Sequence, residues 1–213
     1  MKIMIRVPNW VGDAVMSLPA LEHLRRSKPD AEMVLVARPS VAGLYSALTA
    51  FRVVPCDVMQ VRRESFDSAI LLPNSFDAAW FAWRAGIPER CGFARDGRTP
   101  LLTRAIPTPR VGEIPAHQAY YYLELLRRLG FADDWPPPEV FALPQKRERD
   151  RLKALGISCR GLVVGLNPGA AYGTAKRWLP SRYAELGRRL RKERDAEIVL
   201  FGAESERDRK SVV

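Results

Sequence analysis

Histidine and cysteine are scarce in this chain of 213 residues, with two histidines, His23 and His117, and three cysteines, Cys56, Cys91 and Cys159. The cysteines are odd in number, far apart and outside any CxxC spacing, so they read as reduced thiols and exclude a disulfide framework or a zinc site. The two histidines are too distant in sequence to build a metal cluster, and no metal is expected. Long apolar runs are also missing: nothing approaches the roughly 18 residues that span a bilayer, and the opening Met-Lys-Ile-Met-Ile-Arg-Val-Pro enters a strand instead of a signal-peptide apolar region. The expected location is therefore the cytoplasm. Acidic residues are in the minority, 24 Asp and Glu against 34 Lys and Arg, and the resulting formal charge of +10 favours an anionic partner. The arginine pairs Arg25-Arg26, Arg62-Arg63, Arg127-Arg128 and Arg188-Arg189 are scattered over outer helix faces. That pattern reads as a basic solvated surface, with no nucleic acid expected.

What is present is material for a core, with 47% hydrophobic residues, and a chain that alternates strands and helices. Lys2 to Val7 forms a short apolar strand and turns through Pro8-Asn9-Trp10-Val11-Gly12-Asp13 into a helical pattern. In an open α/β sheet, ligands collect where strands end and helices begin, and Gly12 offers an approach to the backbone without a side chain. Asp13 is the first candidate for a working carboxylate; the competing reading is an acid that caps the first turn of its helix. Pro19 interrupts this helical pattern, which either kinks there or restarts with Ser17 as its cap.

The same opening is written twice. Gly161 to Trp178 repeats strand, Gly/Pro turn and helix, and Asp30 to Val36 reappears as Asp195 to Phe201. Two similar lobes with parallel sheets are expected. Between them, Val41 to Leu48 reads as a helix, Asp67 to Leu72 as a strand entering Pro73-Asn74-Ser75, and Phe76 to Ala85 as a helix whose Trp80 and Trp83 are assigned to the core. Arg95 to Pro115 reads as a loop, and His117 to Leu129 as a helix burying Tyr120, Leu123, Leu126 and Leu129. The Pro-rich and charged stretches before Ser158 place the boundary there, giving domains 1–157 and 158–213. The second holds only two strands and one complete helix, so the chain is expected to stop partway through a domain.

Beyond the later strand, Asn167-Pro168-Gly169-Ala170-Ala171-Tyr172-Gly173-Thr174-Ala175-Lys176 combines small residues, free backbone donors and a cation, which are the parts of a phosphate cradle. Lys176 is placed to neutralise a diphosphate leaving group, or is a surface lysine after a glycine turn. Glu204 stands where doubly wound folds bind ribose hydroxyls, or is a solvated or helix-capping glutamate.

Together these passages resemble a known family. Asn9-Trp10-Val11-Gly12-Asp13-Ala14-Val15-Met16-Ser17-Leu18-Pro19-Ala20-Leu21 is similar to the opening signature of bacterial lipopolysaccharide heptosyltransferases, the heptosyltransferase II type in particular. Leu72 to Phe76, Gly92 to Arg98, and Asn167 to Ala170 through Lys176-Arg177-Trp178 resemble further landmarks. The resemblance runs over essentially the whole chain, and the family's C-terminal portion is missing.

The resemblance implies a GT-B fold of two Rossmann-like lobes, the first holding acceptor and the second ADP-heptose. It implies inverting, metal-independent transfer of L-glycero-D-manno-heptose onto the inner core of lipopolysaccharide, the second heptose onto the first, with no cofactor. Asp13 then matches the general base, while Lys176 and the backbone around Gly169 and Ala170 hold the departing ADP. Gly12, Asn74, Ser75 and Arg98 become acceptor contacts, with loop capping by Asn74 or Ser75 and solvent exposure of Arg98 as the competing readings. The acceptor, a Kdo- and heptose-bearing lipid A, lies at the anionic inner leaflet, so a peripheral membrane location follows. Two other readings stand beside this one: a GT-B glycosyltransferase with a different nucleotide sugar, and a noncatalytic fragment binding anionic glycan or membrane.

Overall fold

Strand β1 (Lys2–Arg6) carries Ile3, Met4 and Ile5 at zero exposure, so both of its faces are covered and it takes a central place in a parallel sheet. The computed structural model describes residues 1–46, 51–132, 135, 152–158, 160–169 and 176–202. After β1 follow α1 (Val11–Ser27), β2 (Glu32–Ala37), α2 (Pro39–Ser46), β3 (Arg52–Pro55), α3 (Val58–Arg63), β4 (Ser68–Leu71), α4 (Phe76–Arg84), β5 (Glu89–Phe93), a 3-10 turn (Thr99–Leu101), β6 (Arg104–Ile106) and α5 (Gln118–Arg128). The strands pair in the order β3-β2-β1-β4-β5-β6, all parallel, which is the order of a doubly wound nucleotide-binding sheet.

Alternation along the strands builds two core layers. Ile3, Ile5, Met33, Leu35 and Ile70 face the layer of Leu18, Leu21 and Leu24 from α1, Tyr45 from α2, and Leu123 and Leu126 from α5. Met4, Val34, Val36, Ala69 and Leu71 face Val61 of α3 and Ala79 and Ala82 of α4. Helix α1 runs unbroken through Pro19, and Ser17 caps nothing: its hydroxyl donates to Ala14 O at 2.7 Å and meets Tyr45 Oη at 3.0 Å.

Two expectations need correction. Trp80 and Trp83 are exposed, because α4 buries only its small residues Ala78, Ala79 and Ala82 and so lies close against the sheet. The stretch from Arg95 to Pro115 is not all loop; Arg104–Ile106 adds the edge strand β6.

The chain divides into two compact units, Met1–Phe141 and Ala142–Val213. The division thus precedes Ser158, whose amide and hydroxyl bond the Glu197 carboxylate and tie that residue to the second unit. In this unit β7 (Val163–Leu166) and β8 (Glu197–Leu200) pair in parallel through α6 (Pro180–Arg194), repeating the β1-α1-β2 opening. No helix among the described residues is long and apolar enough to cross a membrane.

One buried charge knits α5 to its surroundings. Glu124 is fully buried and accepts hydrogen bonds from Arg127, Arg128 and Trp135 Nε1, while Arg128 also bonds Glu113 and Pro107 O. Burial pushes the Glu124 carboxyl upward, but the hydrogen bonds outweigh it and hold the pKa at about 2. Because this value lies below the unfolded one, the stabilisation is complete above about pH 4.3 and is lost as pH falls through about 2. Glu124→Gln is expected to cost about 2 kcal/mol at neutral pH in urea unfolding, with the gap to wild type closing over that acid range. A gap independent of pH would sink the assignment to the carboxylate.

Candidate functional site

The strand order reverses beside β1, between β1 and β4, and the register Arg6↔Leu71 brings the ends of these two strands together. Ligands of open α/β sheets bind in the crevice at such a switch point. The loop after β1 leads through Asn9 and Trp10 into α1; the loop after β4 leads through Pro73, Asn74 and Ser75 into α4. Gly12, Asp13, Asn74 and Ser75, expected from sequence to share a site, therefore lie at one end of the sheet.

Asp13 occupies the first turn of α1 and is half-buried. Trp10, three residues earlier, stands at the N-cap of α1 without a side-chain cap bond, and no hydrogen bond or ion pair to the Asp13 carboxylate forms among the described residues. Its charge is felt by two buried phenols. Burial pushes Tyr45 and Tyr122 up, and the Asp13 charge adds to the rise in both. Asp13 therefore lies within electrostatic reach of two neutral hydroxyl groups. At Gly12 an added Cβ meets nothing within 4 Å, so the space over this backbone is open.

Asn74 is held from two sides. Its Nδ2 donates to Tyr121 Oη at 2.8 Å, and its Oδ1 accepts from Arg98 Nη2 at 3.4 Å. The Tyr121 ring in turn packs on Phe93 at the end of β5, with centroids 4.5 Å apart. Ser75 caps α4, its hydroxyl accepting from Ala78 N at 3.3 Å, which is the capping reading of that residue.

Arg98 corrects the sequence reading. It was expected as an acceptor contact or as a solvated side chain, yet it is 0% exposed. Its Nε donates to Phe93 O at 2.9 Å and its Nη1 to Pro73 O, so it braces the loop that carries Asn74 from beneath. Burial lowers its pKa to about 10, which still leaves it charged at neutral pH. A turn through Asp96 and Gly97, both at positive φ and closed by Arg98 N donating to Arg95 O at 3.2 Å, folds the chain back to place it. Room for the guanidinium comes from Gly92, where a Cβ would lie 2.8 Å from Arg98 Nη2.

Arg6, which sequence reasoning passed over, does the same work on the other side. It is 2% exposed and donates to Val7 O at 2.7 Å, Val36 O at 3.2 Å and Asn9 Oδ1 at 2.7 Å. Burial lowers its pKa. The signal was a single charge in the otherwise apolar run Ile3-Met4-Ile5-Arg6-Val7. Tyr45, Tyr121 and Tyr122 were also missed, because a tyrosine at helical spacing does not reveal whether its hydroxyl meets a site.

In the second unit, Gly169 is half-buried and Lys176 is exposed. Tyr183 Oη of α6 donates to Asn167 O at 3.3 Å, and the Trp178 ring stands edge-on to Tyr183 at 5.2 Å, so the two ends of the loop after β7 are fastened to α6. Ala170 and Glu204 lie outside the described residues. Among the described residues no group of three or more His, Cys, Asp or Glu is placed to hold a metal ion. Cys91 is buried and its thiol is pushed up to about 12 by burial, an inert setting.

Arg98→Lys is expected to lower unfolding stability by about 2 to 3 kcal/mol, because an ammonium cannot reach the spread of acceptors that the planar guanidinium meets. Urea denaturation checks this, and a loss below about 0.5 kcal/mol would mean that the Pro73-Asn74 loop holds its shape without the clamp.

The sequence and the fold have counterparts among known proteins. Lipopolysaccharide heptosyltransferase 2 of Escherichia coli K12 is 29% identical over 95% of this chain, and lipooligosaccharide heptosyltransferase 2 of Haemophilus ducreyi is 30% identical over 97%. The chain spans 64% of the length of each. Among solved structures, E. coli ADP-heptose lps heptosyltransferase II superposes with a TM-score of 0.82 and 26% identity, over 100% of this chain and 68% of the other. E. coli heptosyltransferase WaaC with ADP shares the fold at a TM-score of 0.74 and 19% identity, over 100% of this chain and 71% of that one. The family model described as Glycosyltransferase family 9 (heptosyltransferase) matches residues 58–212, more than half of the sequence, and the chain belongs to that family.

Proposed function

We propose that this chain is the acceptor-binding lobe and part of the donor-binding lobe of an inverting heptosyltransferase. The reaction moves L-glycero-D-manno-heptose from ADP-heptose to the inner core of lipopolysaccharide, the second heptose onto the first. The observation that carries this is the unpaired Asp13 carboxylate at the switch point of a sheet aligned, over 95% of the chain, with a lipopolysaccharide heptosyltransferase 2.

A sugar hydroxyl attacks an anomeric carbon well only as its proton leaves. Asp13 accepts that proton from acceptor lying over open Gly12, while attack on the face opposite the departing ADP inverts the anomeric centre. Asn74, already engaged by Arg98 and Tyr121, keeps one amide N–H and one lone pair for an acceptor hydroxyl. Ser75 belongs to the same acceptor edge, and Arg98 acts through Asn74 as a positioning residue. On the donor side, Lys176 and the backbone N–H groups around Gly169 and Ala170 meet the charge that grows on the diphosphate, and Glu204 binds the ribose. A GT-B arrangement assigns these roles to two Rossmann-like lobes, and no cofactor or metal is required by them. The acceptor, a Kdo- and heptose-bearing lipid A, places the enzyme in the cytoplasm at the inner face of the membrane, where its formal charge of +10 favours anionic lipid.

ADP release from ADP-heptose in the presence of this acceptor tests the reading. Asp13→Ala is expected to lower the rate about 10²- to 10⁴-fold with acceptor binding retained. Equal rates in the two proteins would remove Asp13 from the chemistry. Gly12→Ala is expected to leave stability unchanged or raise it by up to about 1 kcal/mol, since a glycine within a helix is replaced without a clash. The same change is expected to raise the acceptor KM, and an unchanged KM would show that substrate does not cross this backbone.

A further inference from the structure

Helix α4 presents an aromatic ridge to solvent. Phe76, Trp80 and Trp83 follow one another at helical spacing and are 49%, 41% and 48% exposed. Their rings form a continuous stack, with centroids 6.2 Å apart between Phe76 and Trp80 and 4.8 Å between Trp80 and Trp83. The ridge extends about 10 Å along the helix. Three large rings left in water while alanines from the same helix fill the core are unusual for a surface that meets only solvent.

The surroundings are basic. Arg84 closes α4, and the neighbouring α3 packs against it with Arg62 and Arg63 exposed and Met59 58% exposed. At the other end Arg38 pairs with Asp77 at 3.5 Å, so the one acid of the helix is matched. Arginines around tryptophan-rich apolar surface match the chemistry of a bilayer interface, where indole rings sit at headgroup level and cations meet lipid phosphates.

We propose that the Phe76-Trp80-Trp83 face of α4, flanked by Arg62, Arg63 and Arg84, is the surface by which this protein docks on an anionic phospholipid bilayer. Position supports this. Phe76 lies two residues beyond Asn74, so a membrane touching α4 keeps a lipid-anchored acceptor beside the crevice. The rings enter the headgroup region and the arginines neutralise phosphate around them.

The inference rests on the lipid-anchored acceptor proposed above, but its test reads membrane binding without donor or acceptor. The full chain is floated with vesicles containing phosphatidylglycerol and with vesicles of phosphatidylcholine alone. Wild type is expected to partition to the anionic vesicles, and Trp80→Ser/Trp83→Ser to partition at least tenfold less, with an unchanged melting temperature. Arg62→Glu/Arg63→Glu is expected to lose the anionic preference. Brominated phosphatidylglycerol is expected to quench the tryptophan fluorescence of wild type, a readout independent of any variant. Undiminished partition of the double Trp variant, or no quenching in wild type, overturns the proposal. So does a wild-type dimer that the variant abolishes without vesicle binding, which would make the ridge an interface between copies. Transfer to a deacylated, water-soluble acceptor separates the two readings: its absence with vesicle binding intact defeats the proposed chemistry alone, whereas its presence with Trp-independent partition defeats the docking face alone.

Discussion

A guanidinium taken out of water must be met by oxygen atoms, and the end of the sheet beside its switch point is shaped by that demand. Isolated burial of such a charge is costly enough to unfold a domain, so Arg6 and Arg98 exist inside the fold only because oxygens surround them. The oxygens within reach belong to strands and to the loops that leave them: Val36 in β2 with Val7 and Asn9 after β1 for Arg6, and Phe93 at the end of β5 with Pro73 and Asn74 after β4 for Arg98. Each arginine thus freezes a loop by needing its carbonyls, and each ends on an asparagine beside the point where the strand order reverses. Loops that would otherwise be the softest part of an α/β domain become extensions of the sheet.

Against this frame, Asp13 is the exception. Arg6 and Arg98 are each met by several oxygens, while the Asp13 carboxylate makes no hydrogen bond or ion pair among the described residues and lies near phenols that burial and its own charge keep protonated. A rigid scaffold with one unengaged acid suits the proton-accepting role proposed for Asp13, since its surroundings need not rearrange.

Much of this was readable from residues. The β1-loop-α1 opening, its repetition in β7-α6-β8, and the helical spacing of Leu123, Leu126 and Leu129 all rest on local periodicity, and the structure reproduces them. Strands β3, β5 and β6 were not legible, since Arg52–Pro55, Glu89–Phe93 and Arg104–Ile106 are short and carry arginines in place of an alternating apolar pattern. Trp80 and Trp83 misled because hydrophobicity predicts burial only when no smaller residues compete for the core side, and Ala78, Ala79 and Ala82 do compete. Arg98 misled in the opposite sense: its burial depends on the absent side chain of Gly92 and on a turn at Asp96-Gly97, both of which involve partners that spacing does not connect.

The clamp also orders events during synthesis. Arg98 follows Asn74 by 24 residues and Pro73 by 25, so the loop leaves the ribosome before the group that holds it. Strands β1, β2, β3 and β4 can pair as they emerge, but the Pro73-Asn74 loop lacks its Arg98 brace until β5 is laid down and the turn after it reverses the chain. A nascent chain halted just before Arg98 therefore carries five of the six strands of this sheet and Asp13, yet lacks the side chain that clamps the Pro73-Asn74 loop, and that loop gains its brace only after most of the surrounding core exists.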